Sequence, residues 1–123
     1  MTGSNDEREI RAARNQALFR AVNDKMMEVN EGFGEPTGMF SVACECADTT
    51  CVRLLEIEAG AYRQVRRNPR TFVVLRNHVF PDVERVLSTH DGYVVVEATG
   101  RGAHVAEATF RVGGRSVPAA DTL

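Results

Sequence analysis

All three cysteines of the chain fall in one short run, Cys44-Glu45-Cys46-Ala47-Asp48-Thr49-Thr50-Cys51. No other feature constrains folding as much. Thiolates are soft ligands that suit zinc, and a turn can aim several of them at one centre. A closed structural zinc site takes four ligands, so a fourth donor must come from elsewhere in the chain. Of the three histidines, His78 is the best placed. It follows the β-branched run Thr71 to Leu75, and Asn77 and Pro81 mark a turn around it. His90 stands at the end of an expected helix, where its charge suits the dipole, and His104 lies in a segment of weak signal. The pattern predicts a Cys₃His zinc site of Cys44, Cys46, Cys51 and His78. This spacing is less specific than paired C-x₂-C knuckles. Two other readings therefore stay open: three reduced thiols buried as small hydrophobes, or a redox pair of Cys44 or Cys46 with Cys51.

Size supplies a motive for the metal. A chain of 123 residues with no Trp and 7% aromatics makes one domain with a modest core. Structural zinc supplies about 10–16 kcal/mol of apparent binding energy in small zinc-finger peptides. A distant ligand such as His78 would also tie the cysteine loop to the second half of the chain.

The pattern around the cysteines predicts an α+β fold: a long N-terminal helix, then a small antiparallel sheet with a cysteine-bearing hairpin and two short helices. Residues 1–4 are expected to be disordered. Residues 5–31 read as the long helix, with Ser4 and Glu7 at capping-box spacing. Ile10, Ala13, Ala17, Leu18, Ala21, Val22, Met26 and Val29 form an apolar stripe along it. Gly32, Gly34 and Pro36 end it. Such a helix is longer than so small a domain needs, so part of the stripe is free to face a second chain. Residues 39–44 and 52–58 read as strands of a hairpin with the cysteines at its tip. A short helix spans 60–68 and stops at Asn68-Pro69. Thr71 to Leu75 forms a strand. Pro81 opens a second short helix, with Asp82 and Glu84 at its positive end and Val83, Val86 and Leu87 on its face, closing near Asp91-Gly92. Tyr93 to Glu97 is the clearest strand. The single domain covers 5–100. Residues 101–123 are expected to be a weakly structured or disordered tail, although 103–112 also reads as a short helix or strand.

The motif and its surroundings resemble a family of small, uncharacterised actinobacterial proteins. The resemblance rests on Cys44-Glu-Cys-Ala-Asp-x-x-Cys51, on Arg14 to Asn23, on Arg70-Thr-Phe-Val-Val74, on His78 and on His90 to Glu97, and it covers roughly 11–97. It implies a shared fold and shared metal ligands, and no activity.

The net charge of −2 and pI of about 5.9 argue against a protein that coats nucleic acid. Arg63, Arg66, Arg67 and Arg70 could contact phosphate or an acidic partner. Without an aromatic stacking platform, a solvated face with scattered ion pairs is favoured for them. No apolar run approaches a membrane span, and the polar N-terminus has no secretory signal. The reduced cysteines and missing signal point to the cytoplasm. Glu45 and Asp48 are candidates for a general base beside a catalytic zinc, but a four-ligand site is closed to water, and their expected role is to shape the loop. No nucleophile elbow or phosphate loop is present, and Ser88 near His90 is no triad. The first functional reading is a small zinc-binding adaptor or regulator that docks on a larger protein through the N-terminal helix, with contact to the transcription machinery as a variant. The second is a thiol-based redox or metal sensor. The third is a zinc enzyme.

Overall fold

The computed structural model describes residues 2–32, 38–48 and 50–110, with side chains from Asp6 to Val29 in the first of these segments. The elements run in the order α1 (Thr2–Gly32), β1 (Met39–Ala43), β2 (Leu54–Glu58), α2 (Ala59–Val65), β3 (Thr71–Val74), β4 (Glu84–Thr89), β5 (Val94–Ala98) and α3 (Arg101–Ala108). The fold is α+β, as expected. β1 and β2 pair antiparallel as a hairpin, from Met39 opposite Glu58 to Ala43 opposite Leu54. The other three strands form a second antiparallel sheet in the order β3-β5-β4. The core lies where the two sheets meet, around Val42, Ile57, Tyr62, Phe72, Val74 and Val96.

Four expectations are corrected. The helix expected after Pro81 is a turn followed by strand β4. Local signals at Pro81, Asp82 and Glu84 favour a helix start, but Val86 is β-branched and pairs with Val96 of β5. Strand pairing overrides a weak propensity. The second short helix lies instead at α3, so the tail expected from residue 101 is ordered through Ala108, and 111–123 lie outside the described residues. The helix expected from residue 5 begins at Thr2, which leaves Ser4 inside it rather than at its cap.

The fourth correction concerns which face of α1 is buried. The buried positions are Glu9, Ala12, Ala13, Gln16, Arg20, Asn23, Asp24 and Met27, a helical spacing rotated from the apolar stripe. Leu18, Val22 and Val29 of that stripe are 60%, 44% and 56% exposed. The physical reason is what α1 packs against. Part of that face packs on α3, and the rest meets strand edges and loop carbonyls, which must find hydrogen-bond partners when buried. Arg20 donates to Pro69 O (2.6 Å) and Ala106 O (2.9 Å) and stacks over Phe72 and Phe110. Asn23 Nδ2 donates to Ala43 O, and its Oδ1 accepts the Ala43 N–H, both at 2.8 Å. The side chain therefore does what a neighbouring strand would do along β1. Gln16 Nε2 donates to Glu84 Oε1 at 2.6 Å. Burial pushes the Glu84 carboxyl up to about 7 against the pull of this bond and of the Phe80 N–H.

Helix α3 is started by α1. Gly100 precedes it with φ of 59°, a backbone that side chains avoid. A Cβ at that position would stand 2.4 Å from the Glu9 carboxylate. That carboxylate accepts the Arg101 N–H at 3.0 Å, placing a negative charge at the N-terminus of α3, where the helix dipole favours it.

Candidate metal centre

The cysteine loop leaves the hairpin in register. Beyond the last pair of β1 and β2, Cys44 N–H donates to Arg53 O at 3.0 Å, which extends the ladder by one step. Asp48 then turns the chain. Its Oδ1 accepts the Thr50 N–H (2.8 Å) and hydroxyl (2.7 Å), a side-chain mimic of a backbone turn. Its carbonyl accepts the Cys51 N–H at 3.1 Å. These bonds bring Cys51 back over Cys44 and Cys46. His78 arrives from the other sheet, where a turn after β3 is closed by His78 N–H to Leu75 O at 2.9 Å.

The four side chains converge. One ligand atom from each of Cys44, Cys46, Cys51 and His78 lies within 4.8 Å of all the others, and among the described residues this cluster could hold a metal ion. The three cysteines are buried and free of disulfides, and His78 is half-buried. His78 Nδ1 stands 3.6 Å from Cys44 Sγ and 3.5 Å from Cys51 Sγ. Zinc bond lengths of about 2.3 Å to sulfur and 2.0–2.1 Å to nitrogen imply an S···N tetrahedral edge of about 3.6 Å. The observed spacing therefore suits a metal between these atoms. Coordination through Nδ1 places the imidazole proton on Nε2.

The Cys44 sulfur also receives the Leu75 N–H at 3.2 Å. Three thiolates around a divalent cation carry a net charge of −1, and such a donor spreads it. The hydrogen bond between Cys44 and Cys46 and the burial of the pair push the Cys44 thiol far up. The same hydrogen bond brings Cys46 down to about 5. Burial also raises Cys51. One negative charge is thus easy to place on the trio and further ones are not, unless a metal deprotonates the ligands.

Behind the loop lies a residue whose part the sequence does not reveal. Glu45, between two of the cysteines, is fully buried. Its Oε2 accepts from Asn23 Nδ2 (2.8 Å) and the Tyr62 hydroxyl (2.7 Å), and its Oε1 accepts the Val73 N–H (2.9 Å). Its own N–H donates to Val73 O at 2.8 Å. Glu45 therefore closes the outer edge of β3 and joins α1, α2 and both sheets at the root of the loop. Burial pushes its carboxyl up, opposed by the Asn23, Val73 and Tyr62 donors. Only its place between Cys44 and Cys46 hinted at a role. Asn15 completes the clasp, its Nδ2 donating to Cys46 O at 3.1 Å.

The other candidates lie elsewhere. Asp48 shapes the loop, as expected. The arginines divide: Arg66 forms a two-pronged pair with Asp24 and lies over Phe110, Arg70 pairs with Glu107 at 2.9 Å, Arg67 is exposed and Arg63 half-buried. His90 stacks on Tyr93 with ring centroids 4.6 Å apart, and Ser88 Oγ is 2.9 Å from its Nε2. His104 is exposed on α3. None of these joins the cluster. Among the described residues no helix is long and apolar enough to cross a membrane. Compared with protein-family models, curated proteins and solved structures, the chain matches none.

Proposed function

We propose that this chain is a zinc-stabilised binding domain: Cys44, Cys46, Cys51 and His78 hold one Zn²⁺, and the outer face of α1 docks on a larger protein as an adaptor or regulator. The observation that carries the metal assignment is the pair of S···N distances at tetrahedral spacing, within a set rich in sulfur, the donor that selects zinc over harder cations. Four protein ligands fill a tetrahedron and leave no position for a reacting water, which makes the role structural. The actinobacterial resemblance of the motif fits the same ligand set.

The expected result is close to one zinc per chain by elemental analysis of protein purified without added metal. X-ray absorption should show three sulfurs and one nitrogen around it, and the zinc content should fall in both Cys51→Ser and His78→Ala. A folded wild type without metal would sink the proposal.

Support for the docking face is the exposure of Leu18, Val22 and Val29 on a helix whose opposite face is buried through polar contacts. Leu18→Glu with Val22→Glu should leave the denaturation midpoint nearly unchanged, since exposed positions shift stability by about 0.5 kcal/mol or less. The same pair should abolish co-purification of the partner from native extracts. Retention of that complex by the double variant would refute the docking face while leaving the zinc assignment intact.

A further inference from the structure

Between α1 and the turn before β4 lies a cavity of about 140 Å³, lined by Arg8, Arg11, Ala12, Ala47, Phe80 and Val83. Its lining divides by chemistry. Ala12 and Val83 are buried, and Ala47 and Phe80 are half-buried, which makes an apolar floor. Two alanines there leave room that larger side chains would fill. The mouth is basic. Arg8 and Arg11 stand three apart on α1 and so share one side of the helix.

Asp82 accepts from Nε of Arg8. Among the described residues no hydrogen bond is made by the terminal nitrogens of Arg8, and Arg11 has no ion pair. Arg8 pairs with that carboxylate and Arg11 with none, so the mouth keeps a net positive charge and unused donors. Guanidinium forks match the two oxygens of a carboxylate. An apolar cavity of about 150 Å³ accepts a benzene molecule, so the floor holds a ring or a short branched chain and little more.

We propose that this cavity binds a small apolar monocarboxylate, with its ring or branched carbon skeleton on Ala12, Phe80 and Val83 and its carboxylate on Arg11 and the free edge of Arg8. Charge or apolar contact alone is insufficient. A simple anion gains only the arginines, which are exposed and screened by salt, and a neutral ring gains only the floor.

Benzoate is the probe. In a titration of the full chain at constant ionic strength, followed by NMR, benzoate should give saturable shifts at Ala12, Ala47 and Val83. Benzamide, the neutral counterpart, and acetate, the carboxylate without a ring, should each bind at least about tenfold more weakly, as expected when a charge-assisted bond or the apolar contact is lost. Arg11→Gln changes an exposed side chain and leaves the fold intact, and it should weaken benzoate binding by about fivefold or more. Ala47→Leu should close the floor and remove the shifts. The proposal is overturned if benzoate gives no saturable shift, if benzamide binds as well, or if Arg11→Gln has no effect. Shifts centred on Cys46 and His78 would assign the carboxylate to the metal centre and overturn it as well. None of the lining residues is a metal ligand, and Leu18, Val22 and Val29 do not line the cavity, so the outcome can be read apart from the zinc and docking assignments.

Discussion

If the proposed zinc is bound, stripping it with a strong chelator at neutral pH should cost this protein its fixed tertiary structure. Structural zinc contributes about 10–16 kcal/mol of apparent binding energy in small zinc-finger peptides, and a small domain has only about 5–15 kcal/mol of net stability. The loss therefore exceeds what the remaining core can supply. The effect should reach beyond the loop. Asn23 reads the backbone of Ala43 and Asn15 that of Cys46, so α1 is held by chain that the proposed metal would hold in turn. The expected readout is loss of near-ultraviolet circular dichroism and of amide protection along α1, with recovery on adding zinc. Acid should act in the same direction, because ligand thiolates must take up protons for the metal to leave. Stability should fall as pH drops and zinc is released. Full retention of α1 protection in chelated protein would show that the polar seam holds the helix without the metal.

The second large effect is expected at Glu45. Glu45→Ala leaves the Tyr62 hydroxyl, the Val73 N–H and one Asn23 donor without an acceptor in a closed interior. Each such orphan costs about 1–3 kcal/mol, so the sum is about 3–6 kcal/mol once partial relaxation is allowed. Asp48→Ala, three residues along the same loop, should cost about 1 kcal/mol, since its carboxylate is half exposed and serves only the Thr50 turn. Chemical denaturation in excess zinc separates the two costs. Glu45→Gln keeps one acceptor oxygen and should fall between them. Equal effects of Glu45→Ala and Asp48→Ala would show that the buried network adds nothing to the loop's own hydrogen bonds.

The parts legible in the sequence share a property: each is settled by neighbours in the chain. The hairpin of β1 and β2 follows from alternating residues on either side of Asp48. The stop at Asn68-Pro69 follows from proline's restriction of the preceding residue. The three sulfurs converge because a loop of that length with an Asx turn leaves them little else to do. His78 was within reach of the same logic, since a turn directly after a strand brings its side chain to the sheet's end.

What only the tertiary structure decided are matters of partner choice. Val83, Val86 and Leu87 fit a helix or a strand equally well, and the free edge of β5 selected the strand. Whether residues after Gly100 fold depended on a carboxylate ninety residues away, because Glu9 starts α3. The buried face of α1 differs from its apolar stripe for the same reason. An apolar stripe predicts burial only where the neighbour is apolar, and here, beside α3, the neighbours are strand edges and carbonyl groups. Buried backbone polar groups must be bonded, so Asn15, Gln16, Arg20 and Asn23 turn inward while Leu18 and Val22 stay in water. Periodicity in one segment records its own side chains. It carries no information on whether the surface it meets offers methyl groups or unpaired amides, and in this protein that difference set which side of the longest helix became the core.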